Sequence, residues 1–235
     1  MAKSNLRRWL SRLLLRSLLL AALALGGIAG WWWLTFPDIP ALSKVNPTTT
    51  ALIEARIADA RRQDRPFTPR WTWMSLSRIS PHLQKAVIVA EDASFFQHEG
   101  FDWGGIQEAT VRNIKSGTLA RGGSTITQQL AKNLYLSSEK NLLRKVREAL
   151  IARSMEQHLT KKRILEIYLN VAEWGQGVYG AEAAAQHHFG KPAAKLTAEE
   201  AALLAAILPS PRRHDPLKVT PYLAYRRAHI LRWMN

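Results

Sequence analysis

The feature that most constrains this chain is an uncharged stretch near its N-terminus. Residues 17–37, SLLLAALALGGIAGWWWLTFP, contain no acidic or basic side chain. In a helix these 21 residues span about 30 Å, the thickness of the hydrocarbon core of a bilayer. Cations precede the stretch and tryptophans close it, which is typical of a membrane helix with a cytoplasmic N-terminus. A cleaved signal peptide is the alternative, because small residues at 22–24 offer a cleavage site, but the apolar run continues beyond them.

The stretch divides the sequence into four parts. We predict a basic cytoplasmic N-terminus at 1–16, a transmembrane anchor at 17–37, a proline-containing linker at 38–50 and an exported domain at 51–235. The exported part is long enough to bury the core of one good-sized globular domain. A single-pass protein of the inner (cytoplasmic) membrane, with its domain on the periplasmic or outer side, is therefore expected.

Composition narrows the classes of partner. The chain carries 33 Lys and Arg against 18 Asp and Glu, a formal net charge of +15, which suits a phosphate-bearing partner such as nucleic acid, anionic membrane or a phosphorylated substrate. Export past the membrane argues against nucleic acid. The chain has no cysteine, so disulfides, thiolate metal sites and cysteine nucleophiles are excluded.

Capping patterns predict helices throughout the second half of the chain. A helix that starts near residue 80 should end near Glu91, and periodic segments at 139–159 and 161–170 indicate two more. The capping pairs are Ser80 with Gln84, Thr125 with Gln128, and Thr197 with Glu200. No alternation of strands with helices is visible, so the fold class should be mainly α.

Two adjacent carboxylates, Glu91 and Asp92, end the apolar segment AVIVAED. A carboxylate at a helix C-terminus faces the negative end of the helix dipole, and partial burial beside Phe95 and Phe96 would further raise its pKa. A general base that works near neutral pH needs such a pKa. The alternative is a helix end with exposed acids, in which the phenylalanines fill the core.

The segment RGGSTITQQLAKN, residues 121–133, has the composition of an anion site. Its glycine pair permits close approach of a ligand to the backbone, and the following helix presents unpaired N–H groups. We expect Thr125, Gln128, Gln129 and Lys132 to project from one side of that helix. A capped surface helix is the alternative, because glycines before a helix are common.

The segment EKNLLRKVREALIARSMEQ predicts a third polar face. The pattern places an apolar stripe toward the core and a charged group on the opposite side. The stripe is Leu142, Leu143, Val146, Ala149 and Leu150, and the charged group is Lys140, Arg144, Arg147 and Glu148. Three cations around one carboxylate could grip a diphosphate, whereas a solvated face with a weak ion pair is the alternative.

Together these segments resemble a known family. Five motifs occur in order: EDASFFQHEG, RGGSTITQQLAKN, RKVRE, KRILEIYLN followed by EWGQGVYGAEAAAQHHFGK, and EEAALLAAILPSP. They are similar to those of the glycosyltransferase family 51 peptidoglycan transglycosylases, in the monofunctional biosynthetic form, with the core motifs at 79–212. The resemblance implies a mainly α, lysozyme-like, two-lobed domain behind a single N-terminal transmembrane helix.

The resemblance also implies a reaction. The family polymerises lipid II, a disaccharide-pentapeptide on undecaprenyl diphosphate, by inverting transfer of the growing strand to the GlcNAc 4-hydroxyl of the next lipid II. By resemblance, Glu91 is the base and Glu148 the second catalytic carboxylate. The residues that the resemblance and the polar faces assign to substrate binding are Asp92, Ser124, Thr125, Gln128, Gln129, Lys132, Lys140, Arg144 and Arg147. Asp92 is expected to be more structural than Glu91, and His98 to shape its loop.

Cofactors and partners follow from the same resemblance. No cofactor is required and no metal-binding motif is visible; a stimulating divalent cation, Mg²⁺ or Mn²⁺, would bridge the substrate phosphate to a carboxylate. The expected partners are lipid II, the lipid-linked glycan strand and the membrane, and other peptidoglycan synthases or division proteins stay open. The alternative functions are a lytic transglycosylase or muramidase that cleaves peptidoglycan, and a non-catalytic membrane-anchored cell-wall scaffold.

Overall fold

The structure, a computed structural model, describes residues 2–105, 107, 123–136 and 141–234. The chain forms two compact units, residues 1–38 and 39–235. The helices are α1 Ala2–Leu34, α2 Ala51–Arg62, α3 Pro81–Glu91, α4 Ile126–Tyr135, α5 Leu142–His158, α6 Lys161–Val171, α7 Ala181–Phe189, α8 Ala198–Ile207 and α9 Pro221–Met234. The strands are β1 Arg70–Trp71, β2 Glu173–Gly175 and β3 Val178–Tyr179. The mainly α prediction is confirmed.

The first unit contains the single helix α1. Its part Arg12–Leu34, 23 residues with a mean hydropathy of 2.0, is long and apolar enough to cross a membrane. The helix ends at Leu34, so Phe36 and Pro37 of the predicted anchor lie beyond it. One N-terminal apolar helix of this kind suggests membrane anchoring.

The second unit is built around α4. This helix buries Ile126, Leu130 and Leu134 and packs against α2, α5 and α6. A second cluster, α3 with α8 and α9, buries Leu83 and Val87 of α3. Because α3 and α4 belong to these two clusters, the end of α3 and the polar side of α4 can frame one cleft.

The small sheet joins the N-terminal part of this unit to α6. Strand β3 pairs parallel with β1 and antiparallel with β2. The Asn170 side chain accepts from Met74 N at 2.8 Å and donates to Met74 O at 2.8 Å, and Trp71 Nε1 donates to Asn170 O at 2.7 Å. Gly180, at φ +82°, lies so close that a Cβ there would be 2.7 Å from Asn170 O. Only glycine fits this approach.

Two of the three predicted capping boxes form. Thr125 with Gln128 and Thr197 with Glu200 make both reciprocal hydrogen bonds. Ser80 caps α3, but the Gln84 amide instead donates to the carbonyl oxygens of Leu76 and Ile79. The predicted partner of Ser80 is therefore wrong, because these carbonyls compete for the Gln84 amide.

The predicted linker is partly packed. Ile39 and Leu42 belong to the core, and the Arg163 guanidinium donates to the carbonyl oxygens of Leu42 and Val45. Proline composition suggested a linker, but Ile39 and Leu42, three residues apart, bury their side chains in the core of the second unit.

Helix α5 has the opposite orientation to the one predicted. The expected core stripe is exposed, with Leu142 at 80% and Leu143 at 60% of their accessible surface. Glu148, expected on the polar side, is 3% exposed. Ile151 and Met155 supply the buried apolar contacts instead. The physical reason is that cations neutralise Glu148, which allows the carboxylate to be buried.

Candidate active site

Glu91 lies at the last position of α3, on the wall of a cleft. Gln129 Nε2 on α4 donates to Glu91 Oε2 at 2.8 Å, and Tyr168 Oη on α6 donates to Gln129 Oε1 at 3.0 Å. Burial raises the pKa of Glu91 above its ordinary value, although the Gln129 hydrogen bond and the positive charges of Arg226 and Lys132 oppose the shift. A half-buried carboxylate with a raised pKa, oriented by an amide, can accept a proton from a substrate hydroxyl.

Asp92, the neighbouring residue, stabilises the local fold. It accepts from Ile126 N at 2.9 Å and from His98 Nε2 at 2.9 Å. His98 Nδ1 accepts from Gly100 N at 3.1 Å, so its Nε2 carries the hydrogen donated to Asp92. These bonds tie the loop after α3 to the start of α4. Burial raises the pKa of Asp92. Both carboxylate oxygens are engaged within the protein, and Asp92 lines the same cavity as Glu91, so its contact with substrate stays a prediction.

Most of the predicted substrate-binding residues in the first turn of α4 form hydrogen bonds within the protein instead. Thr125 and Gln128 are buried and bond to each other in the capping box, and Thr125 Oγ1 donates to Gly100 O at 2.8 Å. Ser124 lies just before the helix, exposed, with Lys145 Nζ at 3.4 Å from its hydroxyl. Ser124 and Gln129 are thus the members of this group with accessible polar atoms. Contact of Thr125 and Gln128 with substrate stays a prediction.

Glu148 forms a charged cluster on α5. Arg144 Nη1 donates to Glu148 Oε2 at 2.9 Å, and Lys145 forms a short contact with Glu148 Oε1. The Arg144 side chain is 16% exposed and that of Glu148 is 4% exposed. Removal of two such charges from water is costly unless they pair, so this carboxylate holds the two cations in fixed positions.

Lys132 on α4 lies between the two carboxylates. Partial desolvation lowers the pKa of Lys132, with a further lowering by Arg144 and Lys145 and an opposing effect of Glu148 and then Glu91. The side chain nevertheless reaches solvent. A cation that interacts electrostatically with both carboxylates and remains accessible to solvent is suited to bind an anionic group of a substrate between them.

Two cavities show which predicted residues come together. One of about 330 Å³ is lined by Glu91, Ser124 and Thr125, and another of about 400 Å³ is lined by Gln129, Lys132 and Arg144. The Gln129–Glu91 hydrogen bond connects the two sets. Arg147, on α5, lines neither cavity, and Lys140 lies outside the described residues. Among the described residues no three His, Asp or Glu side chains are grouped to hold a metal ion.

Sequence reasoning missed three residues. Lys145 bonds Glu148 three positions away, a spacing that a helical pattern could have revealed. Tyr168 orients Gln129 from α6, and Arg226 acts on Glu91 from α9, which packs against α3. No local sequence pattern predicts Tyr168 or Arg226 as site residues, because each is brought to the site only by the tertiary packing of its helix.

The charge of Arg226 is one of the influences on the pKa of Glu91, after burial and the Gln129 hydrogen bond. Arg226 lowers the pKa of Glu91 against the effect of burial, so the Arg226→Gln change should raise that pKa further. If ionised Glu91 is the active form, the acid limb of the pH–rate profile of kcat shifts to higher pH. Arg227→Gln is the matched control, since Arg227 faces Glu199 at 3.6 Å. If Arg226→Gln left the pH–rate profile unchanged, the charge of Arg226 would have no effect on the ionisation that produces the acid limb.

These features define a class of protein: a mainly α enzyme with a carboxylate of raised pKa on one side of a cleft and a fixed group of cations on the other. Such a cleft fits the transfer of a group from an anionic leaving group to a hydroxyl. The side of the cleft that carries the cations resembles a phosphate-binding site. Its carboxylate, Glu148, is poorly suited to act as a general acid, because it is already paired with Arg144 and Lys145.

Comparison with known proteins identifies the family. The family model described as Transglycosylase matches residues 60–235. Over 200 residues the chain is 47% identical to a biosynthetic peptidoglycan transglycosylase of Nitrosospira multiformis, covering 85% of this chain and 86% of that protein. Over 230 residues it is 45% identical to the protein of the same name of Dechloromonas aromatica, covering 96% and 95%. The chain belongs to the transglycosylase family.

Proposed function

We propose that the chain is a peptidoglycan glycosyltransferase that polymerises lipid II into glycan strands. The relatives are named biosynthetic peptidoglycan transglycosylases and align over most of both chains. The observation that carries the proposal is a pair of neighbouring cavities, one lined by Glu91 with its raised pKa and the other by Lys132 and Arg144, which the Gln129–Glu91 hydrogen bond connects. A base and a diphosphate site side by side are what this transfer requires.

In the proposed reaction the 4-hydroxyl of the acceptor GlcNAc attacks the anomeric carbon of the lipid-linked strand. Glu91 removes the hydroxyl proton as the new glycosidic bond forms with inversion. The bond from the anomeric carbon to the diphosphate breaks at the same time, and the electron pair leaves with the diphosphate. Lys132 and Arg144 neutralise that charge, so protonation of the leaving group is not required.

In this proposal Glu148 positions the cations that stabilise the leaving group. It is buried beneath Arg144 and Lys145 and holds both cations at the cleft before the substrate arrives. Such preorganisation is the main source of electrostatic stabilisation of a transition state, because no charge needs to move during the reaction. The second carboxylate therefore acts through the cations.

The surface of α5 suits a lipid-linked substrate. Leu142, Leu143, Val146 and Leu150 are exposed on the helix that carries Arg144 and Glu148. An exposed apolar patch of this kind marks contact with a lipid or another apolar partner. We further propose the inner membrane as the location, with the N-terminus of α1 in the cytoplasm and the catalytic unit outside.

The test is incubation of the purified full-length protein with lipid II in detergent. We expect long glycan strands and released undecaprenyl diphosphate, detected by gel electrophoresis and by chromatography of the lipid product. Preformed glycan strands serve as the second substrate. Shortening of these strands without new polymer would favour a lytic transglycosylase instead, and no reaction with either substrate would favour a non-catalytic scaffold.

A further inference from the structure

A third cavity adjoins the proposed diphosphate site and is not lined by Glu91. It has a volume of about 270 Å³ and shares Arg56, Asp59 and Glu173 with the cavity that Gln129, Lys132 and Arg144 line. Helix α2 forms one wall of both cavities. A ligand bound at the diphosphate site could therefore extend along α2 into this cavity.

Glu173 on β2 is the buried group at the junction of the two cavities. Its side chain is 6% exposed, and its Oε2 accepts from Arg56 Nη2 on α2 at 2.8 Å. Glu173 Oε1 and Arg56 Nε have no hydrogen-bond partner among the described residues. A buried polar atom left without a partner destabilises the fold, so the junction is arranged to receive a ligand that donates and accepts hydrogen bonds.

The Tyr179 side chain is fully buried and interacts with Arg56 and Glu173, but it does not line the cavity. Burial and then the charge of Glu173 raise the pKa of Tyr179, so the hydroxyl stays protonated. It can donate to an oxygen or accept from an N–H group.

The lining of the cavity carries charges of both signs. Arg65 and Arg212 add two cations to that of Arg56, whereas Asp59 and Glu173 are the anions. Gln63 and Gln176 add amide groups. The excess of one positive charge favours a ligand that carries N–H groups together with more than one carboxylate. Neither a neutral sugar nor a lipid chain carries an ionic group that could pair with these charges.

We propose that this cavity binds the peptide substituent of the sugar substrate, with an N–H or ammonium group on Glu173 and a carboxylate on Arg212. This inference rests on the proposed function, because it takes the diphosphate of the same substrate to lie against Lys132 and Arg144. The peptide is the part of that substrate with both kinds of ionic group. The site thereby distinguishes a peptide-bearing substrate from one that lacks the peptide.

The variant for the test is Arg212→Ala, with Arg213→Ala as its matched control. Both arginines are exposed neighbours, so neither change should disturb folding. Arg212 lines the cavity next to α2, whereas Arg213 does not. Arg213 lines a separate surface cavity together with Arg212, which makes it sensitive to any general effect of charge in this loop.

Binding of soluble disaccharide-pentapeptide and of the same disaccharide without peptide is measured by calorimetric titration of the full-length protein in detergent. We expect the wild type and Arg213→Ala to bind the peptide-bearing form at least about tenfold more tightly, and Arg212→Ala to lose that preference. Equal affinity of the wild type for both forms would overturn the proposal. So would a preference that Arg212→Ala leaves intact or that Arg213→Ala also removes.

Polymerisation of lipid II and of a peptide-free lipid-linked disaccharide by the same proteins separates this proposal from the proposed function. We expect Arg212→Ala to raise KM for lipid II about tenfold, with kcat retained and peptide-free turnover unchanged. Polymerisation without any peptide dependence overturns the peptide site and leaves the function standing. Peptide binding that depends on Arg212 without any polymerisation supports the site and contradicts the function.

Discussion

Glu91→Gln should reduce the rate of lipid II polymerisation by about 10²–10⁴-fold, the usual contribution of a general base. The glutamine has nearly the same volume and can still accept from Gln129, which lies 2.8 Å from Glu91, but it cannot take a proton. Because the change acts on the transition state, kcat and kcat/KM should fall together. The measurement is the initial rate of lipid II consumption at saturating and at limiting substrate.

Folding of the Glu91→Gln variant should be intact. Burial raises the pKa of Glu91, so the fold favours the protonated carboxyl; that stability is fully present below the unfolded-state pKa and is lost as pH rises through the folded-state pKa. A neutral glutamine avoids this loss, and thermal unfolding at neutral pH should occur at the wild-type temperature or above. Glu99→Gln, on the same loop but at an exposed ion pair with Arg153, is the control that should keep full activity. More than about a tenth of the wild-type rate in Glu91→Gln would reject this base.

Local patterns predicted the elements that frame the cleft. Thr125 with Gln128 forms its capping box because both partners lie within one helical turn. The end of α3 at Glu91 was likewise predictable, and burial raises the pKa of that carboxylate as expected. Such features depend on residues close in sequence, so composition and spacing contain the needed information.

Contacts between distant parts of the chain were not predictable in this way. The apolar stripe of α5 was assigned to the core because periodicity ranks Leu142 and Leu143 above Glu148 as buried residues. Pairing with Arg144 and Lys145 reverses that ranking for Glu148. Phe96, which the alternative interpretation placed in the core with Phe95, is 56% exposed, whereas Phe95 is fully buried. The free energy of burial is thus decided by partners as well as by side-chain polarity.

Glu148→Gln should lower both the stability and the catalytic rate. The glutamine leaves Arg144, whose side chain is 16% exposed, without its counter-ion, and loss of one member of a buried ion pair costs about 3–5 kcal/mol. Arg144 and Lys145 would then lose their fixed positions at the cleft. Because these cations stabilise the departing diphosphate in the proposed reaction, we expect kcat to fall by about 10²-fold or more. Thermal unfolding and initial rates, normalised to folded protein, measure the two effects separately.

Glu156→Gln is the matched control for this change. Glu156 lies on the same helix, is nearly as buried, and pairs with Lys161 at 2.8 Å, but it lines neither cavity of the active site. Both variants should lose stability, because each leaves a cation without its partner. Only Glu148→Gln should also lose catalytic rate per folded molecule. Equal rates in the two variants would show that Glu148 contributes to folding alone, and the charged cluster on α5 would then have no part in departure of the diphosphate.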